Sequence, residues 1–364
     1  MPVKDVLRLR KTGPLVANQV LAWKKKRRER GTVSLVHEES HLKATKNFAR
    51  ALAYQKARAE GLSQEEAKKT ALLADSAGVI HDIVRPHTEK KPHGVLGKRA
   101  FLTLAKKYPS FFNYTEAEKN IIADAIELHE LAYEALNART AGKSKQARIV
   151  AEAVQIADKV FEASGFRVIE RRSFFVGKER LKKDLKNFPE LYGKNASLQA
   201  VAMESCMRLR GINYLADVEK AIQPIAAPLH AVQEKFYLGL LKKLGYSSEM
   251  QLLGEMERIK FPKLFDPIKK GSTVLFVDKL KQAIKEESPR VAQIRITPDT
   301  AESAAEVVNH FVSSKSPSDA IATFKPRGAQ ASEWLNGMKS YNEGTPQFLK
   351  NTQRQLRLAF KAQA

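Results

Sequence analysis

Cysteine is nearly absent. Cys206 is the only one among 364 residues, so no internal disulfide can form and a disulfide-stapled secreted domain is excluded. Long apolar runs are missing too. The longest extend about ten residues, against the roughly twenty that a membrane-crossing helix requires, so no span is expected. The basic N-terminus lacks an apolar stretch leading to a small-residue cleavage site, which argues against a signal peptide and for a cytoplasmic protein. No internal repeat or low-complexity tract is visible.

Negative charge is the other scarcity. Asp and Glu number 40 against 63 Lys and Arg, a net charge of +23, and the isoelectric point is about 9.9. A field of this sign attracts polyanions: nucleic acid, nucleotides or an anionic membrane surface. The remaining composition, 43% hydrophobic and 28% charged with a mean hydropathy of −0.39, is that of a folded chain and excludes a disordered or fibrous one.

The length suggests more than one unit. A basic segment, 1–30, carries the run Lys24 to Arg30 beside Trp23. From about 33 to 245 apolar residues recur at three- and four-residue steps, the helical period, punctuated by Gly61, Pro86, Pro92, Pro109 and Gly142. Ser63 with Glu66, and Thr115 with Glu118, read as helix starts with capping boxes. A second basic cluster occupies 167–186, where Phe166, Phe174, Phe175 and Phe188 interleave with Arg167, Arg171, Arg172 and their neighbours. That interleaving suits either a base-stacking groove or the core face of a helix. Beyond Pro262, Pro267 and Gly271, the runs Thr273–Val277, Val291–Ile296 and Ala320–Phe324 are rich in strand-forming residues. Helical segments are expected between them, at 278–287 and at 300–314 behind a cap at Asp299 or Thr300. The expected fold class is therefore mainly α, with a helical domain at 31–165, a basic helical extension at 166–257 and a smaller α/β unit at 258–364. Ser272–Val277 and the helix after it carry no phosphate-binding glycine motif.

The chemistry lies where ionisable residues interrupt apolar stripes. His41 continues through Thr45, Phe48 and Leu52. His81 follows Ala74, Ala77 and Gly78, small residues that let a neighbouring backbone come close. His129 follows Ile122, Ala125 and Ile126, and Asp158 stands between Val154 and Phe161. One such histidine is ordinary in a core. Four helices each burying an ionisable group would cost several kcal/mol per charge without compensation. A divalent ion removes that cost, and mixed imidazole and carboxylate ligands suit Mn, Fe, Zn, Co or Ni.

At the adjacent pair His81-Asp82, the sequence resembles the HD-domain metal-dependent phosphohydrolases, whose His…His-Asp…Asp signature would read here His41, His81-Asp82 and Asp158. The likeness covers about 30–165. His93, in Pro92-His93-Gly94, and His129 resemble the additional ligands of the binuclear branches. The resemblance implies an HD-type helical bundle. It implies two metal ions about 3.5–4 Å apart, with Asp82 bridging, His41, His81 and Asp158 on one, and His93 and His129 on the other. It also implies in-line hydrolysis by a metal-activated water of a phosphoester or phosphoanhydride in a nucleotide or nucleic acid, single-stranded nucleic acid included. Arg85, Lys98 and Lys159 flank these ligands and are expected to hold phosphates. The Gly-Tyr-Pro motif of the cyclic-dinucleotide branch, the His-Asp-x-x-Glu-Asp run of the alarmone hydrolases and any helicase motor are absent. The competing expectation is a catalytically silent HD-fold protein that binds nucleic acid or another polyanion.

Overall fold

The computed structural model describes residues 2–29, 39–84, 92–161, 165–187, 195–211, 222–258, 273–342 and 346–361. These residues are mainly helical and include no strand. They fall into two compact units: 1–163 with 215–227 and 341–364, and 164–214 with 228–340.

The first unit contains α1 (Pro2–Glu29), α2 (Glu39–Ala59), α3 (Gln64–Ile80), α4 (His93–Lys107), α5 (Glu116–Leu128), α6 (Tyr133–Thr140) and α7 (Lys145–Ile156). Both capping boxes form. The Ser63 hydroxyl accepts from the Glu66 amide and the Thr115 hydroxyl from the Glu118 amide, and each glutamate accepts from the amide of its cap residue. Each therefore satisfies two amides that the first helical turn leaves without partners. Gly61, at φ +81°, supplies the left-handed residue that stops α2. The long α3 is buried from Thr70 to Ile80 because it is packed by α1, α2, α5 and α7. At Gly78 an added Cβ would stand 3.0 Å from the Lys46 Cα, so only glycine lets α2 and α3 approach so closely. Gly94 plays the same part between α4 and α5, where a Cβ would lie 2.6 Å from the Glu127 carbonyl.

The second unit is built from α8 (Gly165–Arg171), α9 (Leu181–Asn187), α10 (Ala196–Cys206), α11 (Gln223–Lys243, whose first turn belongs to the first unit), α12 (Glu249–Arg258), α13 (Thr273–Val291), α14 (Pro298–Ser313), α15 (Pro317–Thr323) and α16 (Ala329–Asn342). Trp334 is fully buried edge-on against Phe236. The last helix, α17 (Pro346–Lys361), belongs to the first unit and packs on α2.

The α/β unit expected at 258–364 is corrected. Thr273–Val277 opens α13, where Val277, Leu280 and Ile284 continue a buried helical stripe; β-branched content yields to that packing. Residues 292–296 are a turn and loop following α13, and Ala320–Thr323 ends α15, which Ser316 caps and Pro317 opens. The cap of α14 is Thr297, two residues ahead of the expected Asp299 and three ahead of Thr300, with Pro298 at its first helical position.

The basic cluster at 167–186 follows the core-face reading at Phe174, and three of its arginines turn to buried carboxylates. Its chain runs from α8 through the π-helical stretch Arg172–Arg180 into α9. Arg167 is buried against Glu170 at 2.6 Å, Arg172 pairs with buried Glu204, and Arg180 stands 3.6 Å from the same carboxylate. Phe174 is fully buried. These arginines are internal counter-charges of the second unit, while Phe188 lies outside the described residues. Near the other basic run, Trp23 packs against Tyr108 and Phe112, and Lys24 is buried. No described helix is long and apolar enough to cross a membrane.

Candidate metal centre

The six candidate ligands meet, and they do so at helix termini. His41 lies in the first turn of α2, His81-Asp82 just after α3, His93 at the first position of α4, His129 just after α5, and Asp158 just after α7. A π-helical turn, Ala157–Phe161, follows α7 and carries Asp158. Such turns shift side chains off the α-helical register.

The two oxygens of Asp82 divide the cluster. Oδ2 is 3.4 Å from His41 Nε2 and 3.6 Å from His81 Nε2. Oδ1 is 3.2 Å from His93 Nε2 and 3.8 Å from His129 Nε2. Asp158 Oδ1 joins the first group, 3.4 Å from His41 and 3.6 Å from His81. Within each group the paired Nε2 atoms are only 3.1 Å apart. Three overlapping triads result: His41, His81 and Asp82; His81, His129 and Asp158; Asp82, His93 and His129. In each triad the ligand atoms lie within 4.8 Å of one another.

Ring protons explain why this set suits a cation. His81 Nδ1 donates to the Gly78 carbonyl and His129 Nδ1 to the Ile126 carbonyl, both at 2.7 Å. A carbonyl can only accept, so a hydrogen sits on Nδ1, and in its neutral form each ring turns an Nε2 lone pair into the cluster. These carbonyls belong to the last turns of α3 and α5, which lack intrahelical donors. His93 Nδ1 contacts the Glu130 carboxylate, which also accepts from the Gly94 amide at 2.6 Å. That is the carboxylate–histidine arrangement that orients metal ligands. The buried centre is thus a convergence of nitrogen and oxygen acceptors that could hold a metal ion.

The carboxylates and rings also shift one another's titration, toward a charged pair at His81 and Asp158. Burial alone would lower His81, but the Asp82 and Asp158 carboxylates and the Gly78 carbonyl outweigh it and raise its pKa. Burial, reinforced by the charge of His81, holds His129 down at about 4. Burial also pushes Asp158 upward, yet the rings of His81, His41 and His129 keep it well below the carboxylate range. Glu130, likewise raised by burial, is lowered overall by His93 and the Gly94 amide.

Glu130 is the residue that the sequence reading missed. Its signal was a local echo, Ala77-Gly78-Val79-Ile80-His81-Asp82-Ile83 against Ala125-Ile126-Glu127-Leu128-His129-Glu130-Leu131. The echo is structural as well. The amides of His81 and His129 donate four residues back to Ala77 and Ala125, and those of Ile83 and Leu131 donate to Ile80 and Leu128. The flanking cations differ from one another. The Lys98 ammonium is held by Asp124 at 3.1 Å and Glu127 at 2.6 Å, Lys159 hydrogen-bonds to the Leu131 carbonyl, and Arg85 lies outside the described residues.

No protein-family model, curated protein or solved structure matches this chain.

Proposed function

We propose that the protein is an HD-type metal-dependent phosphohydrolase that binds two divalent ions and cleaves a phosphoester or phosphoanhydride of a nucleotide or nucleic acid in the cytoplasm. The observation that carries this reading is the division of Asp82 between two histidine pairs, with Nε2 atoms facing its Oδ2 on one side and its Oδ1 on the other. His41, His81, Asp82 and Asp158 would hold one ion, and Asp82, His93 and His129 the other. Bound there, such ions supply Lewis acidity to a phosphate oxygen and acidify an attacking water.

The chain's own residues do the rest. The Gly78 and Ile126 carbonyls and the Glu130 carboxylate keep three ring protons on Nδ1, so the imidazoles are fixed before a ligand arrives and little reorganisation is needed. Apolar neighbours such as Ile80 and Ile126, both fully buried, keep the surroundings dry and strengthen charge interactions inside. Arg85, three residues beyond Asp82, and Lys159, beside Asp158, are the cations assigned to substrate phosphates. Lys98 is already engaged by two carboxylates.

Metal content by elemental mass spectrometry, measured on wild type and Asp82→Ala together, tests the proposal. About two equivalents of Mn, Fe, Co, Ni or Zn are expected in wild type and a marked loss in the variant. Hydrolysis of nucleotides or single-stranded nucleic acid with Mn or Ni should disappear with the metal. Turnover retained in Asp82→Ala, or a wild type that takes up no metal on reconstitution, overturns it.

A further inference from the structure

The first unit carries an open polar cleft of about 280 Å³ lined by residues of α1, α2, α3 and α17. Three cations line it, Arg10, Arg50 and Lys68. Lys68 is paired with Glu65 at 2.6 Å. Arg50, with its side chain 55% exposed, stands 3.7 Å from Asp75, beyond hydrogen-bond distance. Arg10 has no ion-pair partner among the described residues. The two acids thus offset two of the three cations, and the wall retains net positive charge. The same wall includes Tyr54 and Gln353, and its floor is apolar, made by Ala51 and Leu72.

These groups form a combination with a definite chemistry. Guanidinium forks match phosphate oxygens in pairs. A tyrosine ring beside an aliphatic floor offers a face to a planar base, and an amide offers a donor and an acceptor to its edge. The cleft is also distinct from the metal centre. Arg50 lies nine residues past His41 on α2, and Leu72 nine residues before His81 on α3, about 14 Å along each helix at 1.5 Å per residue. A phosphate held by Arg50 is therefore out of reach of Asp82.

We propose that this cleft is a separate binding site for a nucleotide-class ligand, with the phosphates on Arg10 and Arg50 and the base against Tyr54 and Leu72. The inference does not rest on the metal-centre reading. It is tested by isothermal titration calorimetry on the full chain in EDTA at low salt, so that no ion in the His/Asp cluster can anchor a phosphate, with ATP, inorganic triphosphate and adenosine as probes. ATP is expected to bind wild type and to bind the doubly substituted Arg10→Gln, Arg50→Gln protein roughly tenfold or more weakly, as the loss of charge-assisted contacts implies. Both arginines are exposed, so the circular dichroism of that variant should match wild type. Tyr54→Ala should weaken ATP and leave triphosphate unchanged. Absence of ATP binding to wild type, or unchanged affinity in the double variant, overturns the site. Triphosphate binding as tightly as ATP overturns the nucleotide assignment.

Discussion

In the second unit, Glu234 and Glu249 are buried against the guanidinium of Arg210, whereas in the first unit Asp82 is buried among four imidazoles. The Arg210 network is closed. Its Nε lies 2.9 Å from Glu249 and its Nη1 3.1 Å from Glu234, and Arg290 reaches Glu234 at 2.7 Å. Each guanidinium nitrogen of Arg210 has a carboxylate acceptor from the chain itself. The Asp82 cluster instead has its ring protons turned outward, to Gly78, Ile126 and Glu130, and its lone pairs turned inward. Buried ion pairs complete themselves; a buried set of acceptors calls for a cation from solution.

This contrast can be broken most severely at Arg210. Arg210→Ala leaves Glu234 and Glu249 buried with less counter-charge, and a loss of about 3–5 kcal/mol is expected in denaturant unfolding. A change within experimental error would show that the network contributes nothing to holding the second unit together. Metal should have no such effect there but should act on the first unit. Mn at a hundredfold excess over its Kd is expected to add about 2.7 kcal/mol relative to EDTA, read as a rise in Tm, with no rise in Asp82→Ala.

Glu130→Gln sharpens the comparison. It keeps the shape but removes the charge that orients His93, so metal affinity should fall about 10- to 100-fold while helicity by circular dichroism stays unchanged. Equal metal affinity in the variant would remove Glu130 from the site.

The smallest effect is a pH dependence in the second unit. Burial raises Glu204, but Arg172, Arg208 and Arg180 outweigh it, so the folded pKa lies below the ordinary 4.5. As pH falls, the unfolded chain takes up this proton first. The stabilisation is therefore present above about 4.5 and is lost as pH drops through the folded value. Glu204→Gln should flatten that acid limb, and an unchanged slope would place the acid sensitivity elsewhere.

Much of the first unit was legible because its signals are local. The boxes at Ser63 and Thr115 satisfy amides within three residues, and a histidine on an apolar stripe is visible from spacing alone. Glu130 was not legible in that way, because its partner His93 is 37 residues earlier and becomes a neighbour only when Gly94 lets α4 meet α5. Arg167 and Arg172 misled for the opposite reason. Charge reads as surface until a buried glutamate on the same helix or on another, Glu170 or Glu204, is brought against it. Thr273–Val277 carries strand-forming residues, yet the burial of Val277, Leu280 and Ile284 makes it helical.

The sequence by itself determined which residue types are available: a +23 chain with one cysteine, mainly helical periodicity, and histidines and aspartates where apolar residues belong. Those properties follow from composition and short-range geometry. Only the tertiary structure decided that the six candidate ligands converge at helix ends, that ring protons point away from Asp82, and that three arginines of one basic cluster serve as internal counter-charges. Each of these depends on contacts between residues far apart in the chain, which burial and close packing select and local pattern does not encode.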